Sequence, residues 1–156
     1  LKKISSYCES KKKIDTDDVE LLVGKSRIYS IFNLINAIGE KRLEKALLIL
    51  KKMLNDGEPP LMILAMIARQ FRLMVRAIEY QRDGLSAPEV SKKIGLFGNI
   101  FNAFREQLRN FTLDEILKKH KLFFHADSEL KGGVYSPEMI LNDLIFKLCN
   151  SVKGLA

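Results

Sequence analysis

The chain has 156 residues, 47% of them hydrophobic, with a formal net charge of +7 and two cysteines. That apolar content excludes a disordered chain and suits one packed domain, or one domain plus part of another. The basic excess lies mostly in the first half, as for a nucleic-acid neighbourhood or an acidic partner, and Cys8 and Cys149 sit too far apart in sequence to suggest a disulfide framework or a metal site, which points to a reduced, cytoplasmic protein.

Leu1, Ile4, Tyr7 and Cys8 mark an amphipathic helix over residues 1–12. The chain begins inside this helix, so a piece of a longer protein is expected. Asp15 or Thr16 caps a second helix over 16–23, whose acidic first turn suits the helix dipole and which Gly24 is expected to end. Lys25-Ser26-Arg27 then reads as a polar joint between two domains. Ile31, Phe32, Ile35 and Ile38 give a helix over 28–38, separated by Gly39 from another over 40–55, where Leu43, Ala46, Leu47, Leu50 and Leu54 recur at three and four.

The next helix, 60–83, organises the rest. Pro59 and Pro60 suit its first turn, and Gly84 the left-handed position after its end. Leu61 to Ala68 is an unbroken apolar run, so this start is expected to be surrounded by other elements. The run is far shorter than the roughly 20 residues that cross a bilayer, and no membrane span is expected. Further along, Arg69, Arg72, Arg76, Glu79 and Asp83 share one narrow stripe, with apolar residues on the other sides.

Ser86-Ala-Pro-Glu89 and Thr112-Leu-Asp-Glu115 are capping boxes. They open helices over 87–94 and 113–131, the second with Leu113, Ile116, Leu117, Phe123, Phe124, Ala126 and Leu130 inward. Between them lies a helix over 99–110, with Ile100, Phe101, Phe104 and Leu108 inward. Ser136-Pro137-Glu138 opens the last, 137–151, with Met139, Ile140, Leu144, Ile145 and Leu148 inward. No segment alternates with period two, so the predicted fold class is all-α, a helical bundle.

Few residues suggest chemistry. Gly24-Lys25-Ser26 lacks the upstream glycine and preceding strand of a phosphate-binding loop. His120, His125 and Asp127 could suggest a metal cluster, but the two histidines, five residues apart, fall on different faces of a helix. No catalytic constellation, cofactor site or metal site is read. Glu89 to Phe111 has the outline of a helix-turn-helix, but its would-be recognition helix begins with apolar residues where base-reading side chains belong. Arg69, Arg72 and Arg76 carry like charges at repelling spacing. They either pair inside the bundle with carboxylates such as Asp127 or Glu129, or reach a neighbouring subunit or phosphate.

Several segments together carry a resemblance. Ile14 to Gly24 is similar to an Ile-Thr-x-x-Asp-Val-x-x-Leu-Val segment. Ile31 to Ile38 is similar to an Ile-Phe-x-Leu-x-Asp-Ala-Ile helix, with Asn36 where Asp is usual. Lys45-Ala46-Leu47, Gly57-Glu58-Pro59-Pro60 and Ala68 to Leu73 follow in order, and Asp127 with Leu130-Lys131-Gly132-Gly133 resembles a closing Asp-x-x-Leu-Lys-x-Gly. On these residues the sequence resembles the C-terminal part of the delta-subunit family of bacterial DNA polymerase III clamp loaders.

The resemblance implies that residues 1–24 end an AAA+-like lid domain and residues 28–156 form a helical collar, the domain through which five subunits join in a ring. The implied function is subunit assembly in the complex that places the sliding clamp on primed DNA. The implied partners are the tau/gamma and delta-prime subunits, primed DNA in the assembled complex, and the clamp through an N-terminal module outside this sequence. The parent complex is a nucleotidyltransferase, but the resemblance gives this stretch no ATP hydrolysis. Arg69, Gln70, Arg72 and Arg76 are the candidate interface or DNA-proximal residues, and Asp127 and Lys131 a candidate structural motif. Arg69-Gln70-Phe71-Arg72 favours delta over the sister collars. The alternatives are the collar of a sister protein in the same loader (tau/gamma or delta-prime) and a helix-turn-helix DNA-binding domain.

Overall fold

The structure, a computed structural model, describes the backbone of residues 16–150 and the side chains of residues 24 and 26–150. The helix expected over 1–12, with Cys8, lies outside the described residues. Among those described there are seven α-helices and no strand: α1 Thr16–Gly39, α2 Leu43–Asn55, α3 Pro60–Arg82, α4 Ala87–Ile94, α5 Gly98–Leu108, α6 Leu113–Gly132 and α7 Pro137–Cys149. The predicted all-α bundle is the observed fold.

The starts follow the capping chemistry. Thr112 N–H and hydroxyl donate to Glu115 Oε2 at 3.0 and 3.1 Å, and Glu115 N–H donates back to Thr112 Oγ1. Ser86 N–H reaches Glu89 Oε2 at 2.7 Å. Ser136 caps α7, with Pro137 in its first turn. Each box satisfies helix-end donors that have no intrahelical partner.

One expected helix end does not occur. Gly24 lies inside α1, which runs unbroken from Thr16 to Gly39 through the expected joint at Lys25–Arg27. A glycine ends a helix only if the chain leaves it there, and apolar residues resume on one face at Ile31, Leu34, Ile35 and Ile38, all buried. At the end of the expected joint, Arg27 Nε donates to Glu58 Oε1 at 2.8 Å, fastening α1 to the α2–α3 turn. The expected end at Gly39 does occur, with Gly39 as the last helical residue of α1. The chain turns two residues later, where Lys41 takes the left-handed conformation (φ 57°) and Arg42 N–H closes on the Ala37 carbonyl. Gly39 also serves packing: a Cβ there would lie 2.8 Å from the Phe111 ring and 2.9 Å from Asn110.

The helix α3 is central. It packs along α6 and also meets α1, α4 and α7. Phe71, fully buried, has the rings of Phe111 and Phe123 against it at 5.3 and 5.2 Å. Ile63, Ile67 and Met74 extend this seam, and Leu50 of α2 with Leu141 and Ile145 of α7 fill its far side. Each such side chain stabilises the fold by about 1.5–3 kcal/mol. Four positions expected inward are exposed: Ile100, Leu117, Phe124 and Met139. The first turn of α3 is also not enclosed, since Leu61 and Met62 are 45% and 44% exposed.

Candidate functional site

Leu61, Met62 and Ala65 lie on one face of α3, and Arg69, Arg72 and Arg76 continue the same face. All six are exposed. The stripe ends on Glu79 and Asp83 at the other end of the helix. The sequence periodicity places these residues together, and the structure turns them to the outside. Ile63, Ile67, Phe71 and Met74, on the opposite side, hold the helix in the core and so fix the orientation of the stripe.

No ion pair joins Arg69, Arg72 or Arg76 to a carboxylate among the described residues. The internal-brace alternative is therefore overturned. Of the two carboxylates considered for it, Asp127 is taken by Lys131, one turn along α6 at 2.8 Å. That surface pair contributes a few tenths of a kcal/mol, about 0.3–0.5, so Asp127 and Lys131 brace their own helix and no other element. The three guanidiniums are open to solvent, each with a planar fork suited to carboxylate or phosphate.

Gln70 corrects the expectation further. It is 5% exposed and belongs to the interior, not to the stripe. Its Nε2 donates to Gln107 Oε1 at 2.6 Å. Gln107 Nε2 in turn donates to the Phe32 carbonyl at 3.0 Å and to Asn36 Oδ1 at 2.9 Å. Three helices, α1, α3 and α5, thus meet at one buried amide cluster. Either Asn or Asp at position 36 offers the oxygen this cluster needs, so Asn36 is no obstacle to the helix motif it departs from.

The other candidates dissolve into structure. Among the described residues no three His, Cys, Asp or Glu side chains are placed to hold a metal. His120 Nδ1 lies 3.3 Å from the Ile116 carbonyl, and its ring meets Phe123 edge-on. The start of α5 shows solvent Phe97 and Ile100, 62% and 46% exposed, and apolar side chains there do not read base edges. Among the described residues no helix is long and apolar enough to cross a membrane.

Three comparisons bear on this fold. Residues 29–148 match the family described as DNA polymerase III delta subunit, C-terminal domain. The chain is 25% identical over 148 residues to the DNA polymerase III subunit delta of Bacillus subtilis (strain 168), covering 95% of this chain and 43% of that protein. The solved Bacillus subtilis DNA clamp loader delta protein superposes with a TM-score of 0.74 at 25% identity, over 95% of this chain and 44% of that one. The chain thus spans less than half the length of the relatives it matches.

Proposed function

Because the chain belongs to the family of C-terminal domains of the DNA polymerase III delta subunit, we propose that it is the collar through which a delta subunit docks onto its clamp-loader neighbours, with the α3 stripe as one docking face. The observation that carries this reading is the stripe itself. Three exposed arginines, without ion-pair partners among the described residues, continue a line of exposed Leu61, Met62 and Ala65 on the central helix. An apolar patch beside unneutralised guanidiniums, on a rigid element, is what a partner with a complementary apolar and acidic surface would cover. The neighbours proposed are the tau/gamma and delta-prime collars.

A subunit in a ring meets two neighbours through two different surfaces. We assign the second to the α2–α7 face, where Leu48, Met139 and Phe146 are 68%, 61% and 52% exposed. Residues 1–24 belong, on this proposal, to the end of an AAA+-like lid, and residues 28–156 to the collar. Contact with the sliding clamp and with primed DNA falls to the assembled complex in the cytoplasm.

The test is assembly. Arg72→Glu and Leu61→Asp, both at exposed positions, should leave the melting temperature within the range set by about 0.5 kcal/mol. Each should weaken association with the other clamp-loader subunits by about tenfold or more. Unchanged association in the Arg69/Arg72/Arg76→Glu triple variant and in Leu61→Asp would remove the α3 stripe from the interface.

A further inference from the structure

The end of the bundle away from the Arg27–Glu58 contact carries a second basic feature, on a different face of α3. Arg82 in the last turn of α3, Arg105 near the end of α5 and Arg109 just past it line one cleft of about 480 Å³. Its floor is aliphatic and aromatic: Ile78, Leu108, Phe111 and Leu113. All three arginines are exposed. Among the described residues Glu106 is the one carboxylate in an ion pair with them, 3.2 Å from Arg109. Arg105 lies over the Phe101 ring at 5.9 Å, and Arg82 has no ion-pair partner among the described residues. The start of α6 also opens here, but its capping box already turns Glu115 onto those amides, so the charge of the cleft comes from the arginines.

We propose that this cleft binds a short acidic peptide segment that inserts an apolar side chain between its carboxylates and the bundle. The arginines fix the sign of the ligand, since three guanidiniums against one carboxylate need negative charge. The floor fixes its class. A phosphate backbone has no apolar group to cover Ile78, Leu108 and Leu113. A nucleobase would need an open aromatic face for stacking. Phe111 cannot offer one: it is 7% exposed, with Phe71 edge-on at 5.3 Å and the Lys119 ammonium 5.8 Å from its ring centre. What fits both parts is a peptide with Asp or Glu beside Leu, Ile or Phe. This site is separate from the α3 stripe and leaves the ring-docking reading unaffected.

The experiment titrates the full chain into a fluorescein-labelled Asp-Glu-Asp-Asp-Leu-Phe peptide at fixed moderate salt, reading anisotropy. Saturable binding with Kd below about 1 mM is expected, weakened about tenfold by Arg82→Ala or Arg105→Ala and unchanged by Arg69→Ala. Replacing Leu-Phe of the peptide by Ser-Ser should weaken binding by about the same factor. Both cleft arginines are exposed, and circular dichroism melts identify any variant that fails to fold. The proposal is overturned by the absence of saturable binding, by equal affinity in Arg82→Ala and Arg105→Ala, by indifference to the Ser-Ser change, or by tighter binding of a six-nucleotide oligo-dT at the same arginines.

Discussion

Gln107 is 1% exposed, yet its side-chain amide accepts from Gln70 and donates twice, to Phe32 and Asn36. Truncating it strands buried polar groups on both neighbouring helices. Gln107→Ala should therefore cost about 1–3 kcal/mol, read from urea denaturation. Asn36→Asp, which keeps an acceptor oxygen, should cost less. The sequence hides this cluster because its members are 37 and 71 positions apart, and helical periodicity reports only which face a residue occupies. One signal was available: Gln70 falls a full step off the Arg69, Arg72, Arg76 face. A second residue-scale expectation concerns pH. The Thr112 N–H holds the Glu115 carboxyl below its usual range. A carboxylate with a lowered folded value binds fewer protons when folded, so its stabilisation is full above the ordinary value and fades as pH falls through the folded one. The stability difference between the protein and Glu115→Gln should thus be largest near neutrality and shrink steadily below about pH 4.3. A difference that persists undiminished in acid would assign the role to packing instead.

At the level of elements, starts and most stops were legible: Gly57, Gly84, Gly95 and Gly133 take left-handed conformations just past the ends of α2, α3, α4 and α6. Ser86, Thr112 and Ser136 announce α4, α6 and α7 because capping is local chemistry between residues three apart. A stop depends also on what the chain meets next. Gly39 is the last residue of α1, and it is also the place where α1 approaches the α5–α6 turn too closely for a side chain. The left-handed residue is Lys41, which carries no sequence flag for it. Gly39→Ala should then destabilise by about 1–3 kcal/mol through overpacking against Phe111. Gly24→Ala, with open space around its Cβ and a helical backbone, should be neutral or stabilising by up to about 1 kcal/mol. Thermal melts of the two variants side by side separate a packing glycine from a merely permissive one. The exposed Ile100, Leu117, Phe124 and Met139 mark another boundary of sequence reading. Periodicity places a side chain on a face, but an apolar side chain at the margin of that face can lie in the core or at the surface.

For the molecule as a whole, the interface proposed at the α3 stripe combines charged and apolar groups that respond differently to solution conditions. Screening shortens the reach of the arginines, with a Debye length of about 10 Å at 0.1 M salt and about 3 Å at 1 M, while apolar contact is not screened. The loss of assembly caused by Arg72→Glu should accordingly narrow between low and high salt, and the loss caused by Leu61→Asp should persist. Parallel salt curves for the two would contradict a shared interface of this composition. The helical class, the element order and the arginine face were all readable in the residues. Whether those arginines turned inward or outward was not, because it depends on which helices surround α3.

Among the described residues the interior holds one cation, Lys119, 7% exposed, with its ammonium donating to the Leu148 carbonyl at 2.7 Å near the end of α7. Burial pushes its pKa below the ordinary lysine range, and the closed seam between α6 and α7 shields it from reagents. Cys149 lies beside it, equally covered, with burial pushing its thiol up. The pair makes a natural chemical clock. Under an amine-reactive acetylating reagent, Lys119 should modify far more slowly than the exposed Lys118 and Lys121 on the same helix, and its rate should follow alkylation of Cys149 as denaturant is raised. Mass-spectrometric labelling would then time the release of the last helix without any probe being introduced.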